Sequence, residues 1–278
     1  MDSLPKITIV TPSYNQAAYL EATLQSVLSQ DYPNLEYIVM DGGSTDGSFG
    51  IIDKYSSKLA YWESHPDNGQ ADAIYRGFER ATGEIFGFVN SDDLLLPGAL
   101  LKIGNWFLTH PFEEWVVGGS VIIDPKGDHF RGRLGNPCFN LGGRVTFEQL
   151  LFGGCGGFNQ PASFWRRSVF FEIGGFDRRL RFCFDYDLFF GLSRRRPSGN
   201  IREFIAAFRL HPESKTTNLY ELKLKEDEFL CEKYGKYNCN KIVRCIKTFW
   251  FEARQEFVVR YLQFLLVLRV VKLKNANV

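Results

Sequence analysis

GEIFGFVNSDDLLLPGAL, residues 83–100, joins a short apolar run to two adjacent acidic residues, Asp92 and Asp93. The apolar run predicts a buried strand, and the acidic pair follows where that strand ends. Residues 35–48, LEYIVMDGGSTDGS, repeat the arrangement with Asp41 at the end of the run. In an open α/β sheet, ligands bind beyond the carboxyl ends of the strands. Carboxylates there suit a divalent cation that bridges a diphosphate, because hard cations take oxygen ligands.

Strands and helices are expected to alternate through the first 123 residues. The predicted strands are Lys6–Val10, Leu35–Met40, Leu59–Glu63, Glu84–Val89 and Glu114–Ile123, and the predicted helices are Ala18–Gln30, Ser48–Tyr55, Gln70–Ala81 and Pro97–Phe107. In the first helix Leu20, Leu24 and Val27 share one face. A series of this kind predicts an α/β protein with a Rossmann-like, mostly parallel central sheet, right-handed crossovers and flanking helices.

The second half of the chain is less regular. Residues 124–143 are rich in Gly, Pro and Arg and predict a loop or hairpin, and residues 152–159, FGGCGGFN, predict a glycine-rich loop. Helices are predicted over Ser168–Gly174, Tyr186–Arg195, Asn218–Tyr234 and Lys241–Lys272.

Composition restricts the class of protein. The formal net charge of +1 gives no case for nucleic-acid binding. The six cysteines form no C-x-x-C pair, so we expect reduced thiols rather than a zinc site. The N-terminus lacks a basic region followed by a long apolar stretch, so no signal peptide is predicted. No run of 18 uncharged apolar residues occurs, and the sequence predicts a cytoplasmic protein.

Five motifs, in this order and spacing, resemble those of the family 2 glycosyltransferases. They are ITIVTPSYNQAAYL (7–20), VMDGGSTDGS (39–48), HPDNGQADAI (65–74), ATGEIFGFVNSDD (81–93) and GGFD (174–177) followed by FDYDL (184–188). The resemblance covers about residues 6–214. It implies a GT-A fold and the inverting transfer of a sugar from a nucleotide-diphosphate donor, with Mn²⁺ or Mg²⁺ as cofactor. We therefore expect a GT-A domain over residues 1–216, with nucleotide-sugar binding in 1–123 and the acceptor half in 124–216, followed by a helical extension over 217–278.

The resemblance implies a donor site at the strand ends. It places Thr11, Pro12, Ser13, Tyr14 and Asn15 against the nucleoside, Asp41 on the base, Gly69 and Gln70 near phosphate or ribose, Asp92 on the ribose and Asp93 on the metal. The residues alone leave alternatives open. Ser13 and Asn15 suit a helix N-cap, and Asp41 before two glycines suits a turn. A capping role for the Asp92–Asp93 pair is less attractive, because adjacent like charges at a buried strand end need a counter-charge.

The resemblance also indicates a general base in FDYDL. Asp185 aligns with the family's aspartate and would deprotonate the acceptor hydroxyl. The Glu that often precedes that aspartate is Phe184 here, which leaves open a catalytically inactive nucleotide-sugar-binding module. Asp187 is the second candidate, and we expect it to serve the start of a helix.

Three further residues are assigned less directly. His211 is either an additional metal or diphosphate ligand or part of a solvated loop. Asn159 and Gln160 are expected to line the acceptor and donor-sugar cleft. Gln160 and the pair Trp165–Arg166 do not match the Gln-x-x-Arg-Trp signature of processive synthases, which favours single addition.

The expected partners are a nucleotide-diphosphate sugar and a glycan or lipid-linked acceptor, in bacterial polysaccharide or lipid-linked glycan assembly. The C-terminal helix, in which apolar residues alternate with Arg and Lys, suits either a membrane surface at the inner face of the plasma membrane or a core or dimer contact. A sugar nucleotidyltransferase is a weaker alternative. Such an enzyme wants a glycine-rich, basic N-terminal loop, which residues 11–20 lack.

Overall fold

The structure is a computed structural model that describes residues 3–130, 139–154, 158–251 and 253. Its strands are β1 Ile7–Ser13, β2 Leu35–Asp41, β3 Tyr61–Ser64, β4 Ile85–Phe88, β5 Leu94–Leu95, β6 Trp115–Ile123, β7 Phe139–Asn140, β8 Ser163–Arg166 and β9 Gly199–Arg209. Its helices are α1 Ala17–Leu28, α2 Ser48–Tyr55, α3 Gln70–Arg80, α4 Ala99–Thr109, α5 Phe147–Gly153, α6 Arg167–Glu172, α7 Phe184–Arg195, α8 Lys215–Asn218 and α9 Tyr220–Lys233. Residues 241–251 are also helical.

The first four strands are parallel neighbours in the order β3-β2-β1-β4. This confirms the alternation predicted from the sequence. The register sets Ser13 beside Asp41, and Asp41 beside Ser64, so three polar residues meet at one edge of the sheet. Helix α1 buries Leu20, Thr23, Leu24 and Val27, the spacing of a single helical face.

The remaining strands complete the same sheet, in the full order β3-β2-β1-β4-β8-β6-β9-β5, with β7 paired to β6. Strand β8 runs antiparallel to both β4 and β6 and separates them. The sheet is therefore mostly parallel rather than wholly so. The sequence did not predict β9, because Arg202 and Glu203 interrupt its apolar pattern where its register against β6 shifts.

Helix α4 begins at Ala99, two residues later than predicted. Gly98 precedes it with φ of 75°, a left-handed conformation that glycine adopts without strain. The preceding Leu94 and Leu95 form strand β5, which pairs with Ala207 and Ala206 of β9. This pairing holds the segment after Asp93 extended and delays the helix.

Two large hydrophobic clusters and one small one lie among the described residues. The larger includes Val10, Phe78, Phe86 and Trp165, and the phenyl rings of Phe78 and Phe86 stack with centroids 4.5 Å apart. The second packs α1 and α4 against the sheet. Helix α9 contributes the fully buried Leu230 to the larger core, so this part of the C-terminal extension packs against the domain.

The described cysteines, Cys183, Cys231, Cys239 and Cys245, are free thiols. Cys138 and Cys155 lie outside the described residues. The helix predicted over residues 241–272 is described only over residues 241–251 and at residue 253, and its other residues also lie outside the described part of the chain. Across the part of the chain that the structure describes, no helix is both long enough and apolar enough to cross a membrane.

Candidate functional site

Asp41 ends β2 as a fully buried carboxylate. Its Oδ2 atom accepts hydrogen bonds from the Ser64 hydroxyl at 2.7 Å and from the backbone N–H groups of Ser44 at 2.9 Å and Gly43 at 3.2 Å. Its Oδ1 atom accepts one hydrogen bond, from the Ser44 hydroxyl at 2.6 Å. A carboxylate offers about four lone-pair sites, so Oδ1 retains acceptor capacity for a ligand N–H.

The segment after β1 lies beside Asp41. Thr11 and Pro12 are buried within β1, and the Thr11 hydroxyl shares a 2.9 Å hydrogen bond with the Tyr37 hydroxyl. Ser13 is buried, and its hydroxyl has no hydrogen-bond partner among the described residues. A buried hydroxyl in that state is costly, so its position suits contact with a bound ligand.

Tyr14 and Asn15 form the rim of this subsite. The Tyr14 side chain is 63% exposed. Asn15 adopts a left-handed φ of 52°, which Asn tolerates better than most residues. Its Oδ1 accepts the Thr45 N–H at 2.9 Å, and its N–H donates to the Ser44 hydroxyl at 2.8 Å. Asn15 therefore ties the loop after β1 to the loop after β2.

The adjacent Asp92 and Asp93 carboxylates occupy different environments. Asp93 is buried. Its Oδ1 accepts the Arg209 N–H at 2.9 Å and its Oδ2 accepts the Asn90 amide at 3.3 Å. Burial, followed by the negative charge of Asp92, raises the pKa of Asp93 well above its usual range. Asp92 is partly exposed, and its Oδ2 lies 3.0 Å from Nε2 of His211.

Arg209 and Tyr19 hold this acidic turn in place. The buried Arg209 donates from Nε to the Asp92 carbonyl at 2.8 Å, and its guanidinium lies 5.1 Å from the centroid of the Tyr19 ring. The His211 ring packs against the same Tyr19 ring, and the two ring centroids are 4.6 Å apart. His211 is thus buried against the acidic turn rather than placed in a solvated loop.

The residues fit a divalent cation only in part. Among the described residues, no group of three His, Cys, Asp or Glu side chains is arranged to hold an ion. Asp92 Oδ2 and His211 Nε2 lie 3.0 Å apart, so they would offer one oxygen and one nitrogen ligand to an ion. Mg²⁺ in particular is commonly bound by one or two carboxylates together with substrate phosphates, so a two-residue site fits an ion that arrives with a diphosphate.

A hydrogen-bonded chain runs from this turn across the crevice. Gln70, at the start of α3 after Gly69 with its φ of 105°, donates to the Asn90 amide oxygen at 2.6 Å. The Gln70 amide oxygen accepts from Lys215 Nζ at 2.6 Å. Asn90 and Lys215 therefore belong to the candidate site, although sequence reasoning did not select Asn90.

Gln160 and Asn159 approach the same region from the other half. The Gln160 amide donates to the Phe88 carbonyl at 2.9 Å and its oxygen lies 3.5 Å from the Asn90 amide. The Asn159 amide donates to the Ser120 hydroxyl at 2.8 Å. Gln160 thus links the second half of the chain to β4, the strand that leads to the acidic turn, and Asn159 links it to β6.

Asp185 lies in the first turn of α7 and is recessed rather than sealed from solvent. Burial raises the pKa of Asp185 to about 7, although the N–H of Tyr186 and the positive charge of Lys215 lower it. A carboxylate with a pKa near 7 is suited to general base catalysis at neutral pH.

The N-terminal approach to α7 is held by a residue from the C-terminal extension. The buried Glu226 of α9 accepts the N–H groups of Arg181, Phe182 and Cys183, each at 2.8 Å. An anion at this position also complements the positive end of the helix dipole. Sequence reasoning did not find Glu226, because it lies in a run of charged residues with no distinguishing pattern.

Asp187 has a different role from Asp185. It is buried, and it accepts the Asp177 N–H at 2.8 Å, the Lys233 amine at 2.6 Å and the Tyr234 hydroxyl at 2.8 Å. These contacts fasten α7 to α9 and leave Asp187 fully occupied within the protein.

Two open cavities lie elsewhere on the molecule. One of about 520 Å³ is lined by residues of α7, the segment that follows α6 and the end of α9, and these include Gly174, Arg194 and Lys233. The other, about 550 Å³, lies between α1 and β5. Asp187 lines the first cavity, and no residue predicted to contact the donor or the metal lines either of the two.

Comparison with known proteins decides the family. The model of the family described as Glycosyl transferase family 2 matches residues 8–174, more than half of the chain. The chain belongs to glycosyltransferase family 2. An uncharacterized glycosyltransferase of Mycobacterium tuberculosis is 37% identical over 181 residues, 64% of each chain. A PGL/p-HBAD biosynthesis glycosyltransferase of Mycobacterium bovis is 31% identical over 186 residues, 66% of this chain and 68% of that one.

Coverage of the relatives is unequal. An uncharacterized glycosyltransferase of Rickettsia felis is 29% identical over 217 residues, which are 75% of this chain but 35% of that protein. The chain therefore spans about a third of the length of that relative.

Solved structures share the GT-A fold of this family 2 chain. Residues 1–349 of TarS from Staphylococcus aureus, in complex with UDP-GlcNAc, superpose with a TM-score of 0.63 at 17% identity, covering 91% of this chain and 73% of that one. The mannosyltransferase PcManGT from Pyrobaculum calidifontis, in complex with GDP-Man and Mn²⁺, gives 0.59 at 16% identity, covering 93% and 72%.

The family 2 chain uses Trp165 and Arg166 structurally. Trp165 is fully buried in the core. Arg166 donates from Nε to the Glu113 carbonyl at 2.8 Å and from its guanidinium to the carbonyls of Phe107 and His110. These contacts lie away from the acidic turn, so neither side chain belongs to the candidate site.

Proposed function

We propose that this protein is an inverting, metal-dependent glycosyltransferase that moves a single sugar from a nucleotide-diphosphate donor to an acceptor hydroxyl. The observation that carries the proposal is Asp185, a recessed carboxyl whose pKa is raised to about 7 by burial. It lies in the first turn of α7, within the half of the chain that is proposed to receive the acceptor. Family membership supports the reaction class.

The donor is proposed to bind along the ends of β1 and β2. The spare acceptor capacity of Asp41 Oδ1 suits the N–H of a pyrimidine or purine base. The unsatisfied Ser13 hydroxyl and the exposed Tyr14 ring lie next to it. Asn15 shapes the loop that holds them, and Gly69 and Gln70 present the N-terminus of α3 toward phosphate or ribose oxygens.

The cation is proposed to bind Asp92 and His211, with its remaining ligands from the donor diphosphate. This differs from the expectation that Asp93 holds the metal and Asp92 the ribose. Three features support the change: the burial of Asp93, the two hydrogen bonds that engage its oxygens, and its raised pKa. When bound, such an ion neutralises the negative charge that develops on a departing diphosphate.

Transfer is proposed to be a single displacement. The acceptor hydroxyl oxygen forms a bond to the anomeric carbon as the bond from that carbon to the diphosphate oxygen breaks. The diphosphate leaves with the bonding electron pair, and Asp185 accepts the hydroxyl proton. Asp185 acts from the face opposite the leaving group, which inverts the anomeric configuration. Lys215, hydrogen-bonded to Gln70 between the two sides, is placed to attract the diphosphate.

The acceptor is proposed to be a glycan or a lipid-linked saccharide in bacterial polysaccharide or lipid-linked glycan assembly, met at the cytoplasmic face of the plasma membrane. Asn159 and Gln160 are the proposed contacts of the sugar cleft. Single addition rather than polymerisation is proposed, because Trp165 and Arg166 are committed to the core and to backbone carbonyls.

The donor half is tested by thermal shift with UDP, GDP, CMP and dTDP sugars, each with and without Mn²⁺. A ligand that binds only the native state raises its apparent stability. A manganese-dependent shift with one nucleotide identifies the base. The absence of any shift, for all donors and both cation conditions, contradicts the donor site.

The catalytic half is tested with Asp185→Asn, which preserves the shape of the side chain and removes the base. We expect transfer to fall at least ~100-fold, the usual contribution of a general base, while donor binding stays within about twofold. An active variant contradicts the role of Asp185. Donor binding by the unaltered protein without transfer to any acceptor favours the inactive binding module instead.

A further inference from the structure

The helix over residues 241–251 carries an apolar stripe that faces away from the domain. Ile242, Ile246 and Phe249 follow the i, i+4, i+7 spacing of one helical face, and their side chains are 69%, 61% and 73% exposed. Val243, 44% exposed, lies along the same stripe. Large apolar side chains left in water over a continuous surface indicate an interaction site.

The opposite side of this helix is anchored, which fixes the direction of the stripe. Lys247 forms a 2.6 Å ion pair with Glu148 of α5, and its amine lies 5.1 Å from the centroid of the Phe152 ring. Phe251 packs against the larger core. The apolar stripe therefore cannot turn inward without breaking these contacts.

The charge of the surrounding sequence indicates what covers the stripe. Residues 241–278 contain eight Lys and Arg and two Glu, in a chain whose formal net charge is only +1. The positive charge is thus concentrated in the segment that bears the apolar stripe, and the rest of the chain is net negative. An apolar helical stripe within a strongly basic stretch of sequence is typical of a helix that lies in the interface of an anionic bilayer.

We propose that the stripe formed by Ile242, Val243, Ile246 and Phe249 docks on an anionic lipid surface. The apolar side chains enter the boundary between headgroups and acyl chains, and the net positive charge of residues 241–278 favours anionic headgroups. A second copy of the chain is a poorer occupant, because pairing two such faces brings two basic segments together. This proposal goes beyond the transfer reaction and does not depend on it, since lipid binding is measured without donor or acceptor.

The test is vesicle flotation of the full-length protein with phosphatidylcholine vesicles that contain or lack 30 mol% phosphatidylglycerol. The test variant is Ile246→Glu with Phe249→Glu. Each buried side chain contributes enough transfer free energy that we expect the double variant to bind anionic vesicles about 100-fold more weakly. The matched control is Phe112→Glu, at an 84% exposed phenylalanine on the loop between α4 and β6.

The outcomes separate the possible occupants. Retention on anionic but not neutral vesicles, lost in the double variant and kept in the control, supports the proposal. No binding of the unaltered protein to anionic vesicles overturns it, as does equal binding by the double variant. A dimer measured by light scattering in the absence of lipid, and abolished by the same two substitutions, assigns the face to a second copy instead. Unchanged thermal unfolding of the double variant shows that loss of binding is not loss of fold.

Discussion

The carboxylate of Glu226 lies 2.8 Å from the backbone nitrogen of Cys183, the residue that precedes α7. Two further N–H groups, of Arg181 and Phe182, donate to the same carboxylate. Asp185 is two residues beyond Cys183, so a side chain of the C-terminal extension fixes the backbone that carries the proposed base. The negative charge of Glu226 also raises the pKa of Asp185.

Replacement of Glu226 by Gln is expected to shift the acid limb of the pH–rate profile to lower pH. The substitution removes a negative charge that disfavours ionisation of Asp185, so the pKa of Asp185 falls. The loss of hydrogen bonds at the helix start should also lower stability by about 1 kcal/mol. Steady-state transfer rates between pH 5 and 9 provide the measurement. Glu228→Gln, an exposed position on the same helix, is the control.

An unshifted acid limb for Glu226→Gln would restrict Glu226 to a structural role. A uniform loss of rate at every pH would lead to the same conclusion, because it reports disorder at the start of α7 without a change in the ionisation of Asp185.

The unaltered protein should lose activity below about pH 7, tenfold for each pH unit, because Asp185 accepts a proton only when ionised. Stability should have the opposite dependence. A carboxyl whose folded-state pKa is raised binds more protons folded than unfolded, so its contribution to stability decreases as pH rises from about 4 to about 7.

Asp185→Asn should therefore be more stable than the unaltered protein at pH 8, by about 1 to 4 kcal/mol, and the difference should shrink at pH 4. Urea denaturation at the two pH values checks both statements. A variant that is less stable than the unaltered protein at pH 8 would show that burial does not penalise the Asp185 carboxylate.

Local sequence predicted the part of the fold in which neighbouring elements pair. Helix α2 was predicted with the bounds that it has, and Asp41 was predicted at the end of a strand. In both cases the signal lies within a short window of apolar residues and turn residues. Strand β8 carries no such signal, because its four residues acquire their structure from two antiparallel neighbours that are distant in sequence.

The division of roles within the acidic pair was also beyond local prediction. Asp92 and Asp93 are adjacent and chemically identical. They differ in their contacts. The buried Asp93 accepts a hydrogen bond from the N–H of Arg209, 116 residues further along the chain, whereas Asp92 contacts His211. Motif order indicated the acidic turn as part of the candidate site, and long-range pairing of β9 determines which of its two carboxylates is the more exposed.

Asp92→Asn and Asp93→Asn should separate the two roles. We expect Asp92→Asn to weaken Mn²⁺-dependent binding of a nucleoside diphosphate about tenfold or more, because it removes a charged oxygen ligand. Asp93→Asn should keep the Mn²⁺ dependence within about threefold, because Asp93 is buried and both of its oxygens accept hydrogen bonds within the protein. Isothermal titration with and without Mn²⁺ measures both. The reverse pattern would return the metal to Asp93.

Asp187→Asn should distinguish a structural carboxylate from the proposed base two residues away. Asp187 is buried and ion-paired to Lys233, which is itself partly exposed. We therefore expect a loss of about 1 to 3 kcal/mol in the free energy of unfolding, with transfer per folded molecule retained within about threefold. Denaturant unfolding and single-turnover transfer at 20 °C give the two quantities separately.

The double variant with Lys233→Met supplies the control for that loss. Because the two side chains share one interaction, their effects on unfolding should be less than additive, whereas Asp187→Asn and Glu228→Gln should add. If Asp187→Asn instead abolished transfer and left unfolding unchanged, the base would be Asp187. We expect a loss of stability with transfer retained, because the Asp187 carboxylate is already engaged by Lys233, Tyr234 and the Asp177 backbone.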